Sequence, residues 1–248
     1  MCGIVGVFSD KQLFNKLQVG KMLDSIAHRG PDDEGIVAID TNTNQVQKDQ
    51  SNLLFGHRRL SILDLSSLGH QPMPTKDQKI WITYNGEIFN FIEIREKLRR
   101  KGYSFVSNTD TEVVLYAYQE YGKNCLKLFR GFFAFCIYDY SKQELFLARD
   151  RLGSKPLKYF FDGSTLAFSS EIQALLKIES ISKAIDYQSI SQFLSLKYIP
   201  APNTIFKDIK KLPAGSFMTF NLRNKNLNIE KYWEPEFEPK LDISYSDA

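Results

Sequence analysis

The sequence predicts an α+β fold with antiparallel sheets. Its apolar runs come in adjacent pairs joined by turn residues, which is typical of antiparallel hairpins. Helical patterns stand between groups of such runs, and strands and helices do not alternate regularly as they do around a parallel sheet. A chain of 248 residues can form one large domain, or one domain with an appendage, around a substantial core.

The first third of the chain is predicted to contain one helix and three strands. The helix covers residues 10–27, and the strands cover the apolar or alternating segments 1–8, 35–39 and 53–63. A segment rich in charges and turn residues, 28–35, follows the helix. Its composition is that of a surface turn or of a loop that lines a site.

The middle of the chain carries the strongest turn signal. Asn85-Gly86 separates the apolar segments 80–84 and 87–89. The pair Asn-Gly tolerates the positive φ angles of a type I′ turn, so a hairpin is predicted at this point.

Two helices with the same boundary signals follow this hairpin. Each starts at a capping residue with a glutamate three positions later, a spacing that satisfies two free N–H groups at once. Each ends just before a glycine, the usual C-terminal stop. The predicted helices are 90–100, with Asn90 and Glu93 at its start, and 109–121, with Thr109 and Glu112.

The remainder of the chain predicts paired strands, one more helix, short strands to residue 233 and a tail. The tail contains two prolines and many acidic residues without a packing period, so it is predicted to be a linker. In order, the predicted segments are strands 131–139 and 144–149, a hairpin of 157–161 and 165–168 around Asp162-Gly163, helix 186–197 and linker 234–248.

The composition is that of an ordinary globular protein and argues against several classes. The formal net charge is +3 and the basic residues form no stripe, so no nucleic-acid partner is expected. No segment approaches the ~20 apolar residues of a membrane span, and no signal peptide is evident, so the cytoplasm is the expected compartment. Three cysteines without paired spacing predict neither a disulfide framework nor a zinc site, and no metal is expected.

Cys2 is the first candidate for chemistry. Removal of Met1 would leave a thiol and a free α-amine on the same residue. An α-amine with a pKa near ~7.7–8.0 is partly unprotonated at neutral pH, so it could act as the base for its own thiol. The alternative is a small buried cysteine at the start of an apolar strand.

An amide hydrolase also needs donors for the oxyanion and a handle for its substrate. The Asn85 side-chain amide and the Gly86 N–H could be those donors, or they could form a plain hairpin tip. Arg59 could grip a carboxylate, or it could lie on a solvated sheet face. Asp110 starts a helix, where capping alone would explain it, but together with Arg59 it would bracket a zwitterion such as glutamine.

The histidines offer no alternative base. His28, His57 and His70 complete no recognisable dyad with a cysteine, and each is predicted to be structural. A conventional thiol enzyme would need one of them to activate its nucleophile. The pattern therefore favours the α-amine of Cys2 as the base.

Several short motifs occur in a fixed order along the chain. They are Cys2-Gly3-Ile4-Val5-Gly6, His28-Arg29-Gly30-Pro31-Asp32, Arg59-Leu60-Ser61-Ile62, Tyr84-Asn85-Gly86-Glu87-Ile88, Asp110-Thr111-Glu112, Arg149-Asp150-Arg151-Leu152-Gly153, Ser170-Glu171-Ile172 and Tyr198-Ile199-Pro200-Ala201-Pro202. This set resembles the class II glutamine amidotransferase domain, specifically the glutaminase half of glutamine-hydrolysing asparagine synthetases. The resemblance spans roughly residues 2–233.

The resemblance implies a fold and a mechanism. The fold would be a four-layer αββα sandwich of two antiparallel sheets, of the N-terminal nucleophile hydrolase type. Cys2 would attack the side-chain amide of L-glutamine and form a γ-glutamyl thioester, from which water releases glutamate. Asn85 and Gly86 would form the oxyanion hole.

The resemblance also implies a substrate pocket. Arg59 would hold the substrate carboxylate, and Asp110, helped by Glu87, would hold the α-amine. Backbone groups near Ile62 and Leu63 would complete the pocket. The full substrate-binding set is Arg59, Leu60, Ser61, Ile62, Leu63, Asn85, Gly86, Glu87 and Asp110.

The implied organisation extends beyond this chain. Residues 2–180 would form the amidotransferase core, 181–233 a C-terminal extension, and 234–248 a linker to an absent synthetase domain. That domain, a partner in cis, would use the ammonia for an ATP-dependent amidation, most simply of aspartate to asparagine. ATP and Mg are expected only there, and a homodimer is a further candidate assembly. The alternatives are a catalytically degenerate docking module and an amidotransferase domain that serves another acceptor.

Overall fold

The computed structural model describes residues 1–236, 244 and 246. Every strand pair within it is antiparallel. The strands are β1 (Gly3–Ser9), β2 (Phe14–Asn15), β3 (Asp33–Asp40), β4 (Gln45–Gln47), β5 (Gln50–Ser51), β6 (Leu53–Arg59), β7 (Met73–Pro74), β8 (Ile80–Ile88), β9 (Gly131–Asp139), β10 (Glu144–Arg149), β11 (Lys158–Phe161), β12 (Thr165–Ser169), β13 (Ile209–Lys211), β14 (Ser216–Asn221) and β15 (Leu227–Lys231).

Six α-helices connect or flank these strands in the described part of the chain. None of the helices in residues 1–236 is long and apolar enough to cross a membrane. The helices are α1 (Lys16–Asp24), α2 (Phe91–Arg100), α3 (Asp110–Tyr121), α4 (Cys125–Leu128), α5 (Ile172–Leu175) and α6 (Tyr187–Leu196).

The strands form two main sheets. A seven-stranded sheet has the order β13-β11-β12-β1-β6-β3-β4, and a six-stranded sheet has the order β15-β14-β10-β9-β8-β7. Strands β2 and β5 form a small ribbon of their own. Because β1 lies at the centre of the larger sheet, the residue that precedes it is held beside the ends of its neighbours.

The fold has four layers, in the order helices, sheet, sheet and helices, and an apolar core fills each of the three spaces between them. One core lies between the two sheets. A second packs α2, α3 and α4 against the six-stranded sheet, and a third packs α1 and α5 against the seven-stranded sheet. Alternation along β1 shows how one strand serves two cores: Ile4 and Phe8 face the other sheet, whereas Val5 and Val7 face the helices.

The predicted hairpin at Asn85-Gly86 is wrong, because β8 runs straight through it. Asn85 pairs with Ala134 and Gly86 with Phe133 in an unbroken ladder with β9. The Asn-Gly signal reports only what a turn would tolerate, whereas nine continuous pairs with β9 determine the strand.

Two helix starts also differ from the sequence prediction. Helix α1 begins at Lys16, not residue 10, because Asn15 forms a capping box with Gln18. At the start of α2 the Asn90 side chain caps nothing. It binds the backbone of Leu128 and Arg130 instead, so a bond to another segment replaces the local cap.

The segment after residue 180 contributes to both sheets. Strand β13 pairs with β11, and β14 pairs with β10, so these late strands extend the sheets that earlier residues begin. The predicted helix 186–197 is present as α6, capped by the Asp186 side chain. Most of the predicted linker, 237–243 with 245, 247 and 248, lies outside the described residues.

Candidate active site

A cavity of about 150 Å³ opens where β1, β6 and β8 meet the start of α3. Its size suits a small metabolite rather than a drug-sized ligand, for which pockets of roughly 300–1,000 Å³ are usual. Its lining residues are Met1, Cys2, Arg59, Leu60, Ile62, Leu63, Gly69, Gln71, Tyr84, Asn85, Gly86, Glu87, Thr109, Asp110, Thr111 and Lys155.

The Cys2 thiol lies against the chain that leaves β6. Its Sγ is 3.4 Å from the N–H of Leu60, which donates to it, and 3.7 Å from the carbonyl oxygen of the same residue. The buried Arg29 donates to the Cys2 carbonyl at 2.9 Å and to Glu171 at 2.7 Å, which fixes the backbone behind the thiol. Burial raises the pKa of the Cys2 thiol, and the Leu60 N–H bond opposes that effect.

Asn85 supplies a donor with nothing to bind in the described structure. Its side chain is 1% exposed, and its Nδ2 has no hydrogen-bond partner among the described residues. Buried polar atoms of this kind are rare and need an explanation. Because Asn85 lines the cavity that holds Cys2, the amide is placed to meet a polar atom of a ligand.

The Gly86 N–H points to the same cavity. Two residues before it, the Tyr84 N–H leaves the free edge of β8 toward Gln71, and two residues after it the Ile88 N–H leaves toward Asp110. Backbone N–H groups alternate sides along a strand, so the Gly86 N–H shares that edge. Glycine is required here because a Cβ would lie 2.4 Å from the carbonyl oxygen of Phe132.

Arg59 is buried and partly committed to the loop that follows it. The residue as a whole is only 6% exposed, and its Nη1 donates to the carbonyl of Ser66 at 2.9 Å. Nη2 donates to the carbonyls of Leu63, at 3.4 Å, and Asp64. A guanidinium has five N–H donors, so two are not used by these contacts. Gly69 leaves the space the guanidinium occupies, since a Cβ there would lie 2.0 Å from Nη2.

Asp110, the first residue of α3, also lines the cavity. Its Oδ2 accepts from the Tyr84 hydroxyl at 2.5 Å and from the Ile88 N–H at 2.9 Å. Burial raises the pKa of Asp110 from the ordinary 3.8 to about 6, with these two bonds opposing the rise and Glu87 adding to it. A cation beside this buried carboxyl group would stabilise its ionised form.

A family model described as a glutamine amidotransferase domain matches residues 1–233. This chain belongs to the glutamine amidotransferase family. The predicted resemblance, given above for roughly residues 2–233, is thereby confirmed.

Curated relatives are similar over nearly the whole chain. A putative glutamine-hydrolysing asparagine synthetase 2 of Methanocaldococcus jannaschii is 38% identical over 98% of this chain and 48% of that protein. Asparagine synthetase 3 of Bacillus subtilis is 38% identical over 100% of this chain and 39% of that protein. The chain therefore spans half or less of the length of these relatives.

Solved structures share the fold at lower identity. The glutamine phosphoribosylpyrophosphate amidotransferase of B. subtilis superposes with a TM-score of 0.69 and 19% identity, over 94% of this chain and 50% of that one. At this identity the likeness speaks for the fold alone. It confirms the predicted α+β architecture of two antiparallel sheets.

The structure of this amidotransferase domain brings most of the predicted site residues together. The exception is Ser61, which does not line the cavity, because its N–H donates to Asp32 at 2.7 Å outside it. Ile62 lines the cavity while remaining 65% exposed. The predicted residues that share the cavity are Cys2, Arg59, Leu60, Ile62, Leu63, Asn85, Gly86, Glu87 and Asp110.

Several cavity residues were not predicted as site residues. Gln71 and Thr111 bind each other at 3.3 Å, Tyr84 binds Asp110, and Lys155 lines the rim. Tyr84 and Thr111 stand inside motifs already quoted, next to predicted site residues, and that adjacency was the available signal. Gln71 reaches the site only through the fold, so no local pattern could have identified it.

The histidines lie outside the cavity lining, as expected for structural groups. His57 is buried and its Nε2 lies 3.0 Å from the carbonyl oxygen of Tyr84. Burial lowers its pKa to about 3, so it is neutral and donates this bond. Across the described residues, no three histidine, cysteine, aspartate or glutamate side chains group as metal ligands would.

Proposed function

We propose that this domain hydrolyses L-glutamine to glutamate and ammonia through a thioester on Cys2. One observation carries the proposal: the buried Nδ2 of Asn85, which has no hydrogen-bond partner among the described residues, belongs to a side chain that lines the same cavity as Cys2, Arg59 and Asp110. An amide donor and a thiol in one small cavity, with a cation and an anion beyond them, fit an amino acid whose side chain ends in an amide.

The first half-reaction forms the thioester. After removal of Met1, the Cys2 α-amine accepts the thiol proton, and the sulfur attacks the amide carbon of glutamine. The oxygen of the tetrahedral intermediate becomes an anion and accepts hydrogen bonds from Asn85 Nδ2 and the Gly86 N–H. The C–N bond then breaks, the protonated amine returns its proton, and ammonia leaves.

The second half-reaction releases glutamate. The α-amine takes a proton from water, whose oxygen attacks the thioester carbon, and the same two donors stabilise the second oxyanion. The C–S bond breaks and the thiol is restored. Arg59 would hold the α-carboxylate, with its remaining N–H donors, and Asp110 with Glu87 the α-ammonium. These contacts hold the substrate while bonds to sulfur form and break.

The ammonia is proposed to serve an ATP-dependent amidation, most simply of aspartate to asparagine. The support is that the relatives named asparagine synthetase are at least twice as long as the matched segment. ATP and Mg would belong to that further domain. In this scheme residues 2–180 form the core, 181–233 extend it and 234–248 lead to the synthetase domain. The proposed compartment is the cytoplasm, whose reducing conditions would keep the Cys2 thiol free.

The proposal is tested by intact mass before and after treatment with a glutamine-like diazo-ketone, alongside release of ammonia from glutamine. We expect a protein lacking Met1 that takes up one adduct, none in Cys2→Ala, and an unchanged adduct in Cys125→Ala, whose thiol is remote and buried. Retained Met1, or no adduct and no ammonia, would favour the docking module. Equal hydrolysis of unrelated amides would contradict the glutamine assignment.

A further inference from the structure

Tyr84 is a buried residue that binds the Asp110 carboxylate directly. Its hydroxyl lies 2.5 Å from Asp110 Oδ2, and the two residues are 2% and 4% exposed. The Ile88 N–H, 2.9 Å away, binds the same oxygen. Both donors therefore hold Oδ2, and the second carboxylate oxygen, Oδ1, is used by neither of them.

Tyr84 is itself held from two other segments. Strand β7 pairs with only two residues of β8, so within the described part of the chain the edge of β8 at Tyr84 has no strand beside it. The Gln71 side chain accepts from the Tyr84 N–H at 2.7 Å, and His57, on the other sheet, donates to the Tyr84 carbonyl at 3.0 Å. Side chains thus complete the backbone bonding that a strand would otherwise provide, which fixes where the phenol ring projects.

The groups around Asp110 make its ionised form costly without a ligand. Glu87 on β8 and the Cys2 thiol before β1 are acidic groups near it, whereas the guanidinium of Arg95 on α2 is a cation that favours the carboxylate. Tyr84 stabilises the carboxylate by donating a hydrogen bond to it. Removal of the hydroxyl would leave the carboxylate with one fewer donor and freedom to rotate.

We propose that Tyr84 is a positioning residue for substrate binding: it orients the Asp110 carboxylate so that Oδ1 meets the α-ammonium of glutamine. This inference rests on the proposed glutaminase function. Tyr84 does not touch the reacting amide in this scheme and acts only through Asp110. Its loss should therefore weaken recognition of the amino group and leave the chemistry of the thiol intact.

The test compares Tyr84→Phe with the matched control Tyr118→Phe. Tyr118 is also buried, and its hydroxyl donates to a carboxylate, that of Asp139 at 3.3 Å, outside the cavity lining. We expect KM for glutamine to rise about 10- to 100-fold in Tyr84→Phe, the range for a lost bond to a charged group, with kcat within a few-fold of wild type. Tyr118→Phe should change neither.

Two further readouts separate positioning from a structural role. Tyr84→Phe should move the acidic limb of the pH profile for competitive inhibition by the product L-glutamate toward higher pH, because the Asp110 carboxylate loses a stabilising donor and this binding does not require the Cys2 α-amine as a base. It should also turn over 4-carbamoylbutanoate, which is glutamine without its amino group, as well as wild type does. Equal losses for both substrates, or an unmoved pH profile, would overturn the proposal.

Thermal unfolding establishes that each variant is folded. The variant Gln71→Met provides a second test of the positioning role of Tyr84. That change removes the bond to the Tyr84 N–H and should weaken glutamine binding selectively while sparing the deaminated analogue. A wild-type protein that releases no ammonia would refute the glutaminase function itself. An active wild type with an unaffected Tyr84→Phe would refute only the positioning inference.

Discussion

At the scale of single residues, Asn85 and Asp110 are two buried polar side chains that line the cavity. Each is almost fully buried, yet Asn85 has an amide nitrogen without a partner in the described structure, and burial raises the pKa of the Asp110 carboxyl group in spite of two hydrogen bonds to its Oδ2. An unsatisfied buried group costs about 1–3 kcal/mol. Such groups are retained where a ligand completes them, which is how we interpret both residues.

We predict that Asn85→Ala lowers kcat for glutamine by about 10²–10³-fold, because one of two oxyanion donors is lost, while KM changes little. Steady-state kinetics with glutamine measure both quantities. Asn90→Ala is the contrast, since its amide binds Leu128 and Arg130 and lines no part of the cavity. It should lose stability but keep kcat. A wild-type kcat in Asn85→Ala would remove this residue from the proposed oxyanion hole.

We predict that Asp110→Asn is more stable than wild type at neutral pH. Burial raises the Asp110 pKa to about 6, so the folded state binds this proton more tightly than the unfolded state, and stability is lost as pH rises from 3.8 through about 6. Asparagine has no charge to bury, so the gain at pH 7 should reach up to about 3 kcal/mol. Urea unfolding at pH 7 and pH 4 measures it.

The difference between Asp110→Asn and wild type should be much smaller at pH 4, where both side chains are neutral in the folded protein. A pH-independent difference would mean that packing, not ionisation, sets it. The same variant should bind glutamine poorly, because the α-ammonium loses its counter-charge. Greater stability with weaker binding is the expected signature of a carboxylate that is kept for function.

Among the elements, β8 organises the cavity. One edge pairs with β9 along its whole length, and the other is free beyond the short β7. The free edge offers the N–H groups of Tyr84, Gly86 and Ile88 in sequence, two of which are bound by side chains. The third is left for a ligand.

Gly86→Ala should damage this arrangement. Its Cβ would lie 2.4 Å from the Phe132 carbonyl oxygen and 2.8 Å from Phe133 Cα, both backbone atoms of β9, so the two strands would have to separate. We expect a loss of roughly 1–3 kcal/mol in stability and a large fall in kcat. Thermal unfolding and kinetics measure these effects.

Gly20→Ala is the matched control, because an added Cβ there meets nothing within 4 Å and α1 gains a better helix former. It should raise stability by roughly 0.5–1 kcal/mol with unchanged kinetics. If both alanines had the same effect, the close approach of β8 to β9 would not be what requires glycine at position 86.

Strand pairs with strong local alternation could be predicted well from the sequence. The bounds expected for β9 and β10 match the structure, since each strand lies between clear turn residues. The Asn85-Gly86 hairpin failed because turn propensity is local, whereas the path of β8 is set by pairing with β9, more than forty residues away. The predicted Asn90 cap was also based on a local pattern, whereas the Asn90 side chain binds Leu128 and Arg130, which lie 38 and 40 residues further along the chain.

In the whole molecule, the three cysteines lie in three different environments. Cys136 is between the two sheets, Cys125 is in the core under α3, and Cys2 is half-buried at the cavity. Burial raises the pKa of both Cys125 and Cys136 strongly, which makes each thiol unreactive while the layers hold together.

We therefore predict that a small alkylating reagent modifies one thiol in the native protein and three after denaturation, out of the three present. Peptide mapping should place the native adduct on Cys2. Reaction at Cys125 or Cys136 should follow the global unfolding rate across a urea series. Native labelling of two or more thiols would show that one of the layers opens without global unfolding.

The site could be predicted from the sequence only as far as its motifs extend. Cys2, Arg59, Asn85, Gly86 and Asp110 stood out by position or resemblance, and the fold collects them in one cavity. Gln71 could not be identified, because its contacts with Tyr84 and Thr111 depend on two segments meeting in three dimensions. Ser61 was included in the pocket through the resemblance of its motif, but it does not line the cavity, and its N–H donates to Asp32.

The straight path of β8 has a consequence for how the cavity exchanges its contents. The proposed oxyanion donors stand in a nine-residue strand bonded along one side, so the amide hydrogens that β8 donates to β9 should be among the last to exchange with solvent, whereas the Gly86 N–H on the free edge should exchange sooner. The segment 60–66, which contributes Leu60, Ile62 and Leu63 to the lining, belongs to no strand or helix and is held by hydrogen bonds from the guanidinium of Arg59. The rate at which ligands enter and leave the cavity should therefore depend on the opening of segment 60–66, which requires the hydrogen bonds of Arg59 to break, while β8 stays in place.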